Sequence, residues 1–277
     1  MGQLDPKRGR YHVVSMAKFK TTDEDYLTAE VDGKELRLLS KAAFAKFDAS
    51  LLGIGDLTQP SVAIDAIAAV FDLGGFTNFC KQIEPHLAVP AFLSRFLSWL
   101  LNRLKVEMQR QEYDKGVTLW SPLPFYVKFL GDGLLVLWDA TTMSHVSRRN
   151  ILVSASAICD RYKDTFLPKI QTKVVDPPPI LRCGLARGTV FSVGEGFDYV
   201  GSCINMAARL QRLPGIEFAF NIRGFVIEGK HVTPFFLESI LVKKVSIRGI
   251  GDGELIAVLK SDFKRMSAEE KTPFRSP

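Results

Sequence analysis

The sequence predicts a mixed α/β domain built on a ferredoxin-like βαββαβ core (α+β in the wider classification), with an N-terminal extension. Three observations carry this. AIAAVFDL is an apolar run of strand length. PFYVKFL and GLLVLWD flank Gly131-Asp132-Gly133, a hairpin signal. Helical spacing fills the stretches on either side, with Phe92, Phe96, Trp99 and Leu100 recurring along one face. A composition of 47% apolar and 24% charged residues over 277 positions is that of a globular chain rather than a disordered one.

Residues 1–58 read as the extension, 59–260 as the domain and 261–277 as a polar tail that frays. Within the extension, LTAEVDGKELRLLS alternates around Asp32-Gly33 as a hairpin does, and SKAAFAKFDASLL follows as a helix. After the first core strand comes the helix PAFLSRFLSWLLNRLKVEMQ, then the strand pair about Asp132. NILVSASAICDRYKDTFLPKI is a long helix, stopped before Pro177-Pro178-Pro179. ILRCGLARGTVFSVG reads as a strand entering a glycine-rich hairpin, and SCINMAARLQRL as an amphipathic helix ending at Pro214. FAFNI, FFLESILVKKVSIRG and GELIAVL read as late strands.

Lys and Arg outnumber Asp and Glu by 36 to 30, which suits a phosphate-bearing ligand. The basic residues form no stripe, so a nucleic-acid partner is not expected. Cys80, Cys159, Cys183 and Cys203 stand singly, which argues against a zinc or CxxC redox site. The segment MGQLDPKRGR has no apolar core behind it, Pro6 spoils a myristoylation motif, and no apolar run spans a bilayer. The expectation is a cytoplasmic protein without membrane attachment.

The stretch AVFDLGGFT places Asp72 against a buried run, where a desolvated carboxylate is costly unless neutralised. Asp132 occupies the tip of the second hairpin. If the two strands are neighbours, two carboxylates face each other and call for hard divalent ions between them, an arrangement suited to phosphoryl chemistry. Each aspartate alone has a plainer reading, Asp132 as a turn former and Asp72 as a helix cap.

Read in order, DLGGFT, KFLGDGLLVLW and LRCGLARGTVFSVGEGFDYVGSCINMAARL resemble the catalytic domain of class III nucleotidyl cyclases, over roughly residues 62–258. The final G-x-x-x-N-x-A-A-R is the most specific part. The resemblance implies that Asp72 and Asp132 hold two divalent cations, Mg or Mn. It implies that Lys128 reads the base with Asp198 as its acidic partner. It assigns Asn205 to orienting the ribose, Arg209 to the charge on the reacting phosphate, and Arg248 to the terminal phosphates. It also implies a head-to-tail homodimer whose sites combine the aspartates of one subunit with the Asn and Arg of the other. Independently of family, Asn205 and Arg209 are spaced i, i+4 and share one helix face, and an Arg fork suits phosphoryl oxygens.

The order Val70, Phe71, Asp72, the segment NFCKQIEPHLAVPAFLSRFLSWLL and the lead-in LWSPLPFYVKFLGDG resemble the pyrimidine cyclases of bacterial Pycsar antiphage systems. That resemblance implies a product of cyclic UMP or cyclic CMP, UTP being favoured, and a separate effector carrying a cyclic-nucleotide-binding domain. Phe71 or Tyr126 would narrow the base pocket against purines. Lys128 and Asp198 keep the adenine-reading types, so an adenylate cyclase stays open. So does a non-catalytic nucleotide-binding domain, although its usual losses, a metal Asp or the Asn/Arg pair, are not seen. An RNA-recognition sheet would need a K/R-G-F/Y-G/A-F-V-x-F/Y strand, and a P-loop enzyme a G-x-x-x-x-G-K-[ST]; neither occurs.

Overall fold

A computed structural model describes residues 19–225 and 234–277, so the expectations for MGQLDPKRGR lie outside the described residues. In chain order the elements are β1 (Tyr26–Val31), β2 (Lys34–Leu39), α1 (Lys41–Ala45), β3 (Ala63–Gly74), α2 (Phe76–Phe79), α3 (Pro85–Met108), β4 (Gln109–Tyr113) and β5 (Gly116–Leu119). They continue with β6 (Tyr126–Phe129), β7 (Gly133–Asp139), α4 (His145–Arg161), α5 (Leu167–Ile170), β8 (Ile180–Val193), β9 (Asp198–Val200), α6 (Ser202–Leu210) and β10 (Phe218–Asn221). The last are α7 (Pro234–Ser239), β11 (Ile240–Ile247), β12 (Gly251–Leu259), α8 (Lys260–Arg265), α9 (Ala268–Lys271) and β13 (Phe274–Arg275). The chain divides into two compact units. One joins the residues before Ala63 to Phe191–Val200, and the other holds Ala63–Val190 with Gly201–Pro277.

In the first unit β1 and β2 form the expected hairpin, in register from Tyr26↔Leu39 to Val31↔Lys34. Asp32 and Gly33 both take positive φ, 51° and 72°, as a two-residue primed turn requires. The helix expected over SKAAFAKFDASLL is shorter. It stops at Ala45, and Asp48 caps a separate 3-10 turn by accepting from the Ser50 N–H at 2.8 Å. The end of β8 pairs with β9 within this unit, and the Ser61 hydroxyl donates to the Ser192 carbonyl at 2.6 Å.

The second unit is built on a sheet ordered β13-β11-β12-β10-β8-β3-β7-β6. The last four strands of that order, β8-β3-β7-β6, with α3 and α4 as the crossovers, are the βαββαβ core. Alternation along β3 sends Ile67, Ala69, Phe71 and Leu73 into a cluster with Phe92, Phe96 and Leu100 of α3 and Ile151 and Ile158 of α4. Ala66, Ala68 and Val70 are buried on the opposite face, the one that α6 crosses. With both faces covered, β3 reads as a continuous apolar run rather than an alternating one. The helix α6 seats Cys203, Met206, Ala207 and Leu210 on the sheet, the i, i+3, i+4, i+7 face.

Several expectations change. β3 continues to Gly74, because the Leu73 N–H still pairs with the Asp132 carbonyl at 3.1 Å, so Asp72 lies inside the strand instead of ending it. α3 begins at Pro85, and the β4–β5 hairpin that follows it was not foreseen. The FFLES part of the expected late strand belongs to α7, which opens on a proline at its first position. The expected polar tail is folded: β13 pairs with β11, and Met266 and Phe274 are buried. Its polar composition hid an anchor, Asp262, whose carboxylate accepts from the Glu217 and Phe218 backbone N–H groups at 2.9 and 3.3 Å. No helix among the described residues is long and apolar enough to cross a membrane.

Candidate active site

The pairing of β3 with β7 sets Asp72 opposite Gly133, one residue from Asp132. The tip of the β6–β7 hairpin closes through the Leu130 N–H on the Gly133 carbonyl at 3.0 Å, with Gly131 at φ 98°. A side chain at Gly133 would place its Cβ 1.8 Å from the Phe71 carbonyl oxygen, so this turn can lie against β3 only with glycine there. Asp72 on β3 and Asp132 in the β6–β7 turn thus lie at one end of the same strand pair.

Asp72 has its pKa raised above the usual carboxylate value. Burial is the main cause and the Asp132 charge adds to it, while the hydrogen bond and charge of Arg182 and the charge of Arg212 pull the other way. Arg182, on β8, donates from Nη2 to Asp72 Oδ2 at 2.6 Å. Among the described residues no group of three or more His, Cys, Asp or Glu forms a cage for a metal ion. Two carboxylates with oxygen donors alone fit Mg or Mn, which take one or two carboxylates and complete their shell with phosphates and water. The donor set therefore fits the implied cations, with Arg182 as a competitor for one of the oxygens.

Asn205 and Arg209 are exposed on α6, on the face away from its packing residues. They line a cavity of about 390 Å³ together with Arg212, Ser246 and Arg248. Arg248 stands in the β11–β12 turn, where Gly249 takes φ 76° and a Cβ there would lie 3.4 Å from Arg209 Nη2. Three guanidiniums and one amide thus converge, an arrangement suited to a polyphosphate. Neither Asp72 nor Asp132 lines this cavity. A larger cavity of about 850 Å³, beside α2 and residues 171–179, is lined by Asn78, Gln82, Gln171 and Asp176 with no cation, and has nothing to attract phosphate.

The residues expected to read the base fall in both units. Lys128 is exposed on β6, in the second unit, and Asp198 belongs to the first, on β9, where its Oδ1 accepts from the Tyr199 N–H at 2.8 Å. Tyr126 is half-buried on β6. Phe71 must be corrected. It is fully buried in the core cluster under α3 and α4, on the face of β3 opposite Asp72, and no base reaches it without opening the core.

Arg182 and Arg212 were not singled out from the sequence. A signal existed for the first: an arginine flanked by apolar residues in the strand LRCGL needs a buried partner, and the other strand offers Asp72. Arg212 lies i+3 from Arg209, past the end of α6, and joins the recognised residues only in the cavity it lines with Ser246 and Ile247 of β11.

No family model matches the chain, and no curated protein matches it in sequence. Among solved structures, the guanylyl cyclase Cya2 superposes with a TM-score of 0.52 at 15% identity, over 73% of this chain and 94% of that one. A bacterial light-regulated adenylyl cyclase gives 0.48 at 14% identity, over 76% of this chain and 55% of its own. A dimeric guanylyl cyclase domain of a RhoGC fusion protein from the aquatic fungus Blastocladiella emersonii gives 0.45 at 13%, over 73% and 98%. At such identities the likeness is one of fold, and the superposition on Cya2 carries it. The chain has the fold of the class III cyclases.

Proposed function

We propose that this chain is a nucleotidyl cyclase, converting a nucleoside triphosphate to its 3′,5′-cyclic monophosphate and pyrophosphate. The observation that carries this reading is the placing of Asp72 on β3 against the β6–β7 turn that holds Asp132, together with a cavity that gathers Asn205, Arg209, Arg212 and Arg248. In the reaction, the ribose 3′-oxygen bonds to the α-phosphorus and the bond from that phosphorus to its bridging oxygen breaks. Pyrophosphate leaves with the electron pair, and the hydroxyl proton passes to water. Bound at Asp72 and Asp132, two divalent cations would acidify the hydroxyl and neutralise the phosphates. Arg209 and Arg212 present fixed donors where charge develops on the phosphate, Arg248 holds the terminal phosphates, and Asn205 orients the ribose. The protein forms no covalent bond, so positioning and electrostatics supply the rate.

Neither aspartate lines the arginine cavity, which supports a homodimer in which each active site draws on both subunits. The substrate is a pyrimidine nucleotide, UTP ahead of CTP, and the product an antiphage signal read by a separate cyclic-nucleotide-binding effector. This finer reading rests on the Pycsar resemblance of the Val70-Phe71-Asp72 order and of the lead-in to Lys128. With Phe71 in the core, exclusion of purines falls to Tyr126 on β6. The test is to incubate the protein separately with ATP, GTP, CTP and UTP in the presence of Mn²⁺ and to identify products by mass, with Asp72→Ala alongside. A cyclic pyrimidine monophosphate made by the wild type and not by the variant is expected. Cyclic AMP would keep the reaction and overturn the base specificity; no product from any nucleotide would overturn both.

A further inference from the structure

Two carboxylates of β3 meet two guanidiniums of β8, in opposite order along the strands. Asp65 is gripped by Arg187 with a full fork: Nε donates to Oδ1 at 3.1 Å, Nη2 to Oδ2, and Nη1 reaches the Gly224 carbonyl at 3.2 Å. Asp72 is held differently. Arg182 reaches it with a single hydrogen bond among the described residues, from Nη2, and the Nε–H of Arg182 is buried with no described acceptor. The two pairs have the same residue types on the same strands, so their difference is one of geometry. A fork that satisfies both carboxylate oxygens is the stronger and more specific grip. A one-pronged pair that leaves a buried donor unsatisfied is held below its capacity, and such a group calls for a reason.

We propose that Arg182 is a displaceable counter-cation of Asp72: in the nucleotide-free chain its guanidinium occupies the carboxylate oxygen that a divalent cation would otherwise take. The inference rests on the reading of Asp72 as a metal ligand. Arg182 thereby keeps a largely buried carboxylate neutralised while the site waits, its partner being 13% exposed. It also sets a threshold, since a cation at Asp72 must first dislodge a fixed positive charge. A triphosphate, which adds its own oxygens to the cation, helps to cross that threshold. Arg182 is thus a positioning residue that ties metal loading to nucleotide arrival. Arg187, locked at both prongs, has no such part.

The test is Mn²⁺ binding without nucleotide, followed by electron paramagnetic resonance of the free ion. Removing a unit charge at contact distance from a partly buried site is worth about tenfold or more in affinity for a divalent cation. Arg182→Gln is expected to bind Mn²⁺ tighter than wild type by that factor, Arg182→Lys to stay near wild type, and Arg187→Gln to leave affinity unchanged. Equal or weaker binding by a folded Arg182→Gln chain overturns the proposal. Should that variant not fold, the wild type decides: the Arg182 Nε resonance is expected to shift on titration with Mg²⁺, and an unmoved resonance overturns the proposal. Asp72→Asn separates the two levels of argument. Wild-type binding that is indifferent to this change removes Asp72 as a ligand and the proposal with it. Binding that needs Asp72 but is not tightened by Arg182→Gln removes the proposal alone.

Discussion

Asp262 is only 1% exposed, and its carboxyl is raised from the ordinary value of 3.8, chiefly by burial. The N–H groups of Glu217 and Phe218 and the charge of Arg265 oppose that shift, and the charge of Glu217 adds to it. The folded chain therefore holds this proton more readily than the unfolded chain. By linkage its contribution is fully present below pH 3.8 and is lost as pH rises through the raised folded value. Urea midpoints at pH 4 and pH 7 are expected to favour wild type over Asp262→Asn more at pH 4; a larger wild-type advantage at pH 7 would reverse the sign and sink the argument. Asp72 carries a shift of the same direction at the candidate site, where it faces Arg182 as well as Asp132. The shared helix face of Asn205 and Arg209 was legible from their i, i+4 spacing, and the approach of Asp72 to the turn of Asp132 from the motifs that carry them. Arg182 was not, since its partner is 110 residues away and only the β3–β8 pairing joins them. Phe71 misled because its sequence neighbourhood is that of Asp72 while strand alternation gives it the other face.

At the scale of elements, what places Asn205 and Arg209 is the crossing of α6 over β8. Gly184 is the point of closest approach: a Cβ there would lie 2.2 Å from the Ala207 carbonyl oxygen and 2.6 Å from the Gln211 nitrogen. Both are backbone atoms that cannot turn aside, so the helix as a whole must move. Gly184→Ala is expected to cost about 1–3 kcal/mol of stability, the usual cost of overpacking, and to displace the whole cavity wall. Urea unfolding reads the first effect, and a loss of nucleotide affinity in the remaining folded chain reads the second. A variant with wild-type stability and affinity would show that the crossing is looser than its contacts imply. The elements most legible in the sequence were those whose periodicity is set by burial, β3, α3, β7, α4 and α6. Those set by capping or by distant pairing were not. Asp48 splits a helical run that looks continuous, Pro234 opens a helix in what reads as strand, and β13 exists only because Phe274 finds Val245 of β11.

On the scale of the whole molecule, the question is where the two halves of the site meet. Asp72 and Asp132 lie at the β3–β7 end, and the cavity of Asn205, Arg209, Arg212 and Arg248 has no carboxylate of that pair in its wall. Within one chain Arg212 of that cavity already makes its charge felt at Asp72, while Gly184 seats α6 against β8 at backbone contact. In a head-to-tail pair each chain would offer its aspartates to the other's arginines. Under this arrangement a chain carrying Asp72→Ala and a chain carrying Arg209→Ala are each inactive as homodimers. Mixed, they form heterodimers in which one site carries both defects and the other carries none. An equimolar mixture is statistically half heterodimer with one good site in two, so it is expected to recover about a quarter of wild-type activity if subunits exchange freely. Recovery that rises with incubation time and saturates near that level supports a shared site. A mixture as inactive as its parents, with heterodimers demonstrated by native mass spectrometry, places both groups of a working site in one chain.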